Sequence, residues 1–152
     1  KRNKNSFNTT MKNIRYPLIL ISVALCISGI RWLINPEPWM LDQVANEERL
    51  RMTFVELFII EGNSTLGAYL TQIYRFLGLY VLGIGSILLS FTDIKFLNIP
   101  SFRNRYLIIL GILLVSNLAL AYMWISSSHF IYIMWSAIAL YLYSLYHHIK
   151  MK

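Results

Sequence analysis

Residues 66–91 read LGAYLTQIYRFLGLYVLGIGSILLSF, and this stretch decides the class of the protein. Its one charged residue is Arg75. As a helix rising about 1.5 Å per residue it covers the roughly 30 Å of hydrocarbon in a bilayer with length to spare. Three further segments have the same character: Tyr16–Ile34, Tyr106–Ile125 and His129–His147. The only charge within the first of these is Arg31, near its end, where the side chain can snorkel. The links joining the last three are short, which makes those helices antiparallel neighbours.

Composition agrees. Of 152 residues, 57% are hydrophobic and 14% charged, whereas a soluble domain carries about 25% charge. That is too little to cover a water-facing surface, and the charges cluster between the apolar runs. A disordered chain, a coiled coil and a disulfide-rich module are excluded. Cys26 is the single cysteine, so neither an internal disulfide nor a cysteine metal cluster can form. The net charge of +7 does not point to nucleic acid, because the basic residues sit at segment ends, at the level of lipid head groups. The expected fold is an all-α membrane protein, with four transmembrane helices in an antiparallel bundle and one external interfacial helix.

The basic residues orient it. Lys1, Arg2, Lys4, Lys12 and Arg15 precede the first span, Lys95, Arg103 and Arg105 lie between the second and third, and Lys150 and Lys152 follow the fourth. The opposite side has Arg31, Arg49 and Arg51 against Glu37, Asp42, Glu47, Glu48, Glu56 and Glu61. The positive-inside rule places both termini in the cytoplasm of a bacterial inner membrane. Residues 1–15 form a basic cytoplasmic arm, 16–148 the transmembrane domain and 149–152 a cytoplasmic tail. Residues 35–65 are external, and Asn98 and Pro100 turn the internal loop. Trp32, Trp39 and Trp124 mark the outer interface, Tyr106 and Tyr146 the inner one. A signal peptide starting at Met11 is the competing reading of the first span, but no small-x-small cleavage site follows. Leu25 before Cys26 makes a poor lipobox.

In the external segment, Asn35-Pro36-Glu37-Pro38 stops the first helix. Asp42 is placed to cap a helix running to about Glu61, and Gly62-Asn63-Ser64 breaks it. That helix is too apolar to float in water and is expected to lie in the interface or against the spans. Glu61 reaches water at its end or enters a buried ion pair.

Arg75 needs an explanation, since an arginine at the bilayer centre costs about 2.5–3.5 kcal/mol on insertion scales. Gln72, Arg75, Gly78, Leu82 and Gly85 follow one face, which turns Arg75 into the bundle. The candidate site is therefore Arg75 with Glu61 or Glu56 as counter-ion, plus Gln72 and Asn117, serving as a structural ion pair or a ligand grip. Asn117 is expected to donate between helices. Ser22, Cys26 and Gly29 share a face of the first span, and Tyr132, Ser136, Ala139, Tyr143 and His147 one of the fourth. Gly78 and Gly83 lack GxxxG spacing, so no dimer motif is claimed.

No HExxH, GxSxG, P-loop, GxGxxG or CxxC motif is present. His129 falls at the opposite end of the fourth span from His147 and His148, so the three cannot share a metal. No metal or cofactor is expected. Asn8-Thr9-Thr10 and Asn63-Ser64-Thr65 match the glycosylation sequon, but the first is read as cytoplasmic and the second as too close to the membrane.

Three features resemble a known family: the Ile34-Asn35-Pro36 turn ending the first span, Arg75-x-x-Gly78, and the Gly-x-Tyr-x-x-Gly-x-Gly that runs from Gly78 to Gly85. Together they resemble the small bacterial four-helix membrane proteins of unknown function related to the DoxX-like group. The resemblance covers most of residues 16–148 and implies a four-helix fold. Some DoxX-like proteins are linked to quinone-coupled oxidation, but no catalytic residue carries over. The expected function is a non-enzymatic accessory or scaffold subunit, partnered by the bilayer and other membrane subunits. The alternative is a small membrane enzyme or a binder of a quinone or lipid at Arg75.

Overall fold

The computed structural model describes the backbone of residues 4–151 and the side chains of residues 7–151. Lys1, Arg2 and Lys152 of the basic ends lie outside the described residues. The chain is helical throughout: α1 (Lys4–Ile34), a 3-10 turn (Pro38–Asp42), α2 (Gln43–Leu50), α3 (Phe54–Ile59), α4 (Leu66–Ser90), α5 (Ile94–Leu97), α6 (Pro100–Trp124) and α7 (Phe130–Ile149). Four of these, α1, α4, α6 and α7, are long and apolar enough to cross a membrane.

Helix α1 is the hub. It packs most extensively on α4 and next on α7, while α6 leans on α7. The α1–α4 contact is made by backbone. A Cβ added to Gly29 would meet the Leu82 nitrogen at 2.5 Å and the Gly78 oxygen at 2.7 Å. One added to Gly78 would meet the Gly29 oxygen at 2.8 Å, and one at Gly85 the Cys26 nitrogen at 2.9 Å. Small residues permit this approach, and in lipid such van der Waals contact is a main source of helix association. Gly78 and Gly85 are spaced by seven, which leaves them about 20° apart around the helix. Together they keep one line against α1.

The fully buried apolar residues concentrate in one half of the bundle. Met11, Ile14, Leu18 and Ile21 of α1 pack with Leu88, Leu97, Leu107 and Leu110, all under 9% exposed. Residues of the basic arm are therefore part of α1 and of its buried face. The first helix begins by Lys4, because Met11 and Ile14 continue the buried face of Leu18 and Ile21 at helical spacing. Arg15 Nε donates to the Thr92 carbonyl at 2.9 Å, and Ser144 Oγ donates to the Ile14 carbonyl at 3.0 Å. These two bonds tie the start of α1 to the end of α4 and to α7.

The segment after α1 is also corrected. The single helix expected from Asp42 to Glu61 is two. Helix α2 ends at Arg51, whose φ of 57° is left-handed, a common helix stop. Thr53 then starts α3 with a capping box: its hydroxyl accepts from the Glu56 N–H at 3.2 Å, and its own N–H donates to Glu56 Oε2 at 2.7 Å. Asp42 does stand at the start of α2, without a capping bond from its side chain. The loop expected to turn at Asn98 and Pro100 holds α5, and Pro100 opens α6 in the first-turn position suited to proline.

Gly29→Ala is expected to destabilise the fold by about 1–3 kcal/mol through overpacking, as read by thermal unfolding in detergent. Gly83→Ala, where a Cβ meets nothing within 4 Å, is the control and should be neutral or stabilising by up to about 1 kcal/mol.

Candidate functional site

The expected ion pair does not form. Arg75 and Gln72 are exposed on the outside of α4. Among the described residues, the one carboxylate within 4.0 Å of a Lys, Arg or His side-chain nitrogen is that of Asp42, 3.6 Å from His129 Nδ1. Glu61 is exposed at the turn after α3. Glu56 is occupied by its capping box, where Thr53, by its backbone N–H first and its hydroxyl second, holds the carboxyl below the ordinary carboxylate range. The geometric reason is helical drift. Steps of three residues fall about 60° short of a full turn. With Gly78 seated on α1, Arg75 stands about 60° to the side and Gln72 about 120°, away from the bundle.

These two residues instead line a shallow groove of about 370 Å³ on the outer surface of α1 and α4, with Leu33, Ala68, Thr71, Phe76 and Leu79. Thr71 is satisfied internally, donating to the Gly67 carbonyl at 2.9 Å. Arg75 lies nine positions into α4, about 14 Å along the axis. The residue is exposed there, within a helix long and apolar enough to cross a membrane.

Asn117 is likewise corrected. It does not bridge helices: Nδ2 donates to the Leu113 carbonyl of its own turn at 2.7 Å, and the residue is exposed. The aromatic stripe of α7 also faces outward, with Tyr132 and Tyr143 both exposed. The inward face of α7 carries Ile131, Ser144 and His148. Trp39 is buried against Phe54 and Phe58 of α3.

A polar knot that the sequence reading assigned to a basic loop closes the well-packed end. Arg103 is 5% exposed. Its Nε donates to His148 Nδ1 at 2.9 Å and its Nη1 to the Leu97 carbonyl at 2.6 Å, with Met11 Sδ at 3.8 Å. An accepting Nδ1 leaves the proton of the neutral ring on Nε2, which donates to Asn104 Oδ1 at 2.7 Å. Four elements thus meet on one guanidinium: α1, α5, α6 and α7. The signal was present in the sequence. Proline in the first turn starts α6 at Pro100, and from there Arg103, Leu107, Leu110 and Leu114 fall on one face.

At the opposite end the connections are held by polar contacts over aromatic rings. Arg49 stacks on Trp124 at 4.7 Å, Glu48 accepts from Ser127, and Asn46 donates to the Trp39 carbonyl at 3.0 Å and to Tyr74 Oη at 3.2 Å. Among the described residues no three His, Cys, Asp or Glu side chains converge as a metal site.

No family model, curated protein or solved structure matches this chain.

The Arg103 knot is testable by a double-mutant cycle. Arg103→Leu strands the His148 and Leu97 acceptors and should cost about 2–3 kcal/mol. His148→Leu should cost somewhat less. The double variant should fall short of the sum by about 1–2 kcal/mol in detergent unfolding, and additive losses would mean that the two side chains do not act together.

Proposed function

We propose that the chain is a non-enzymatic accessory or scaffold subunit of a larger assembly in a bacterial inner membrane, with α4 as its docking helix. The observation that supports this is the pair of polar side chains, Arg75 and Gln72, exposed on the outer face of a membrane-spanning helix. Apolar exposure alone says nothing in lipid, since acyl chains cover Ile73 or Leu79 as well as protein does. A cation and a carboxamide are different, because hydrocarbon offers them no partner. Snorkelling would relieve the charge but would leave the Gln72 carboxamide facing hydrocarbon. A neighbouring helix with acceptors satisfies both.

That helix belongs to a different protein. None of the four spanning helices contains Asp or Glu, so a second copy pairing through its spans has no carboxylate to offer at this depth. The motif by which the chain resembles the DoxX-like group fits the same division of labour. Gly78 and Gly85 face α1 while Arg75 faces out, and we extend the likeness to the fold alone.

In this reading the four spans run antiparallel, with both termini cytoplasmic. The polar knot of Arg103 and His148 lies at the inner end, and the segment carrying α2 and α3 lies outside. The excess of Lys and Arg at the inner end supports that orientation. A cysteine placed at Gln43 in a chain with Cys26→Ala should label from the external side of intact cells; labelling from the cytoplasmic side alone would invert the topology.

The subunit reading is tested by photocrosslinking in native membranes, with a benzophenone amino acid at Gln72 or, on the far side, at Tyr132. A discrete adduct is expected from position 72 and not from 132, and it should disappear when Arg75→Leu is added. Migration as a free chain of about 18 kDa in native electrophoresis, with no adduct from either position, would overturn it.

A further inference from the structure

The bundle is not filled. Between the four spanning helices lies a cavity of about 140 Å³, away from the Arg103 knot and bordering the buried core at Ile21 and Leu114. Its shape follows from how the helices pair. Helix α4 is held on α1 by glycine contacts and α6 leans on α7, so the space between α4 and α6 is not closed by their own packing. At the well-packed end Tyr106 Oη bridges the gap by donating to the Leu88 carbonyl at 3.1 Å. Farther along, α1 supplies Ala24 and Ser28, α4 supplies Val81 and Ile84, α6 supplies Asn117, and α7 supplies Ala137 to the wall. Ile84 and Asn117 are exposed, which marks the side on which the cavity opens towards lipid.

Two polar groups stand on this apolar wall. Ser22, Ser86, Ser90 and Ser136 each donate to the carbonyl four residues back at 2.8–2.9 Å, and Ser144 donates across to the Ile14 carbonyl of α1. The Ser28 hydroxyl makes no hydrogen bond with any described residue. Asn117 spends its amide nitrogen on the Leu113 carbonyl. Only the nitrogen can donate there, so the carbonyl Oδ1 is the atom left over, and no described residue donates to it. A hydroxyl and an amide oxygen thus border one apolar chamber at membrane depth, where water does not supply the missing bonds.

We infer that this chamber binds a neutral, ring-sized apolar molecule carrying one hydroxyl, taken up sideways from the bilayer. Size and chemistry each select for it. An engineered apolar cavity of about 150 Å³ stays dry and accepts benzene, so a single ring matches the volume. The ligand hydroxyl donates to Asn117 Oδ1 and accepts from Ser28 Oγ, which uses both free groups and leaves the ring against Val81, Ile84 and Ala137. A charged molecule is disfavoured, because no ionisable side chain lines the cavity. The inference does not rest on the subunit reading, since the cavity lies inside the bundle and the docking groove outside it.

The probes are 4-fluorophenol and fluorobenzene, which are similar in volume and differ in the hydroxyl. Binding is followed by 19F NMR of the full chain in nanodiscs, against empty nanodiscs. The wild type is expected to bind fluorophenol about tenfold more tightly than fluorobenzene, the size of effect two net hydrogen bonds supply. Asn117→Leu should remove most of that preference while fluorobenzene still binds. Ala137→Phe, which fills the chamber, should abolish both signals; if that variant does not fold, Asn117→Leu with Ser28→Ala carries the test. Equal binding of the two probes by the wild type would overturn the hydroxyl-bearing class. A preference for fluorophenol that survives in Asn117→Leu with Ser28→Ala would show that the bound hydroxyl is elsewhere, and would overturn the site.

Discussion

The close approach of α1 and α4 is the contact on which the remaining architecture depends. In a bilayer the apolar side chains are no better off against each other than against acyl chains, so a bundle needs contacts that lipid cannot imitate. Gly29, Gly78 and Gly85 provide one by letting two backbones meet without intervening side chains. Once α4 is seated there, the rest of its circumference is fixed in direction. The line through Gly78 and Gly85 faces α1, Val81 and Leu88 on one flank of it face the other helices, and Arg75 and Gln72 on the opposite flank face outward.

The second organising contact is polar. Arg103 gathers α1, α5, α6 and α7 at one end through directed hydrogen bonds to a neutral imidazole and a backbone carbonyl. A buried guanidinium is costly unless its donors are used, and here the partners come from three other elements. The cost of leaving it unsatisfied becomes a constraint on their mutual position. The two contacts have different consequences along the bundle. Near the knot the helices converge on a core of Met11, Ile14, Leu18 and Leu110. Away from it, α4 follows α1 while α6 follows α7, and the chamber beside Ser28 and Asn117 opens between them.

Beside those that bond between helices, such as Ser144 and Tyr106, the polar side chains of the spanning helices include two contrasting groups. Ser22, Ser86, Ser90, Ser136 and Thr71 are closed on their own helix and ask nothing of their surroundings. Arg75, Gln72, Ser28 and the Asn117 oxygen are left with bonding capacity on two distinct surfaces, the outside of α4 and the interior chamber. In water such groups would be unremarkable. In hydrocarbon they are the places where a partner or a ligand lowers the free energy, and they carry both functional readings.

That four segments form helices long and apolar enough to cross a membrane was legible in the sequence, because segment length and apolar content are local properties that one segment reveals without reference to another. The stop at Asn35-Pro36 and the position of Asp42 before α2 were legible on the same ground. The Arg51–Thr53 break was readable in principle, since Thr53 and Glu56 have capping-box spacing, but the apolar run around them suggested continuity. What only the tertiary structure decided was direction around each helix. A stripe such as Gln72, Arg75, Gly78 and Gly85 names a set of neighbouring positions and does not say which member sits at the contact. The glycine contact chose Gly78 and Gly85, and a rotation of about 60° sent Arg75 outside. Arg103 moved the other way, from an assumed basic loop into the bundle, because α6 begins at Pro100 and carries it onto the face of Leu107 and Leu110. Hydrophobic patterning orients a helix in water, where one face must be buried; in lipid both faces are apolar, and the orientation is set by which backbones can touch and which hydrogen bonds can be made.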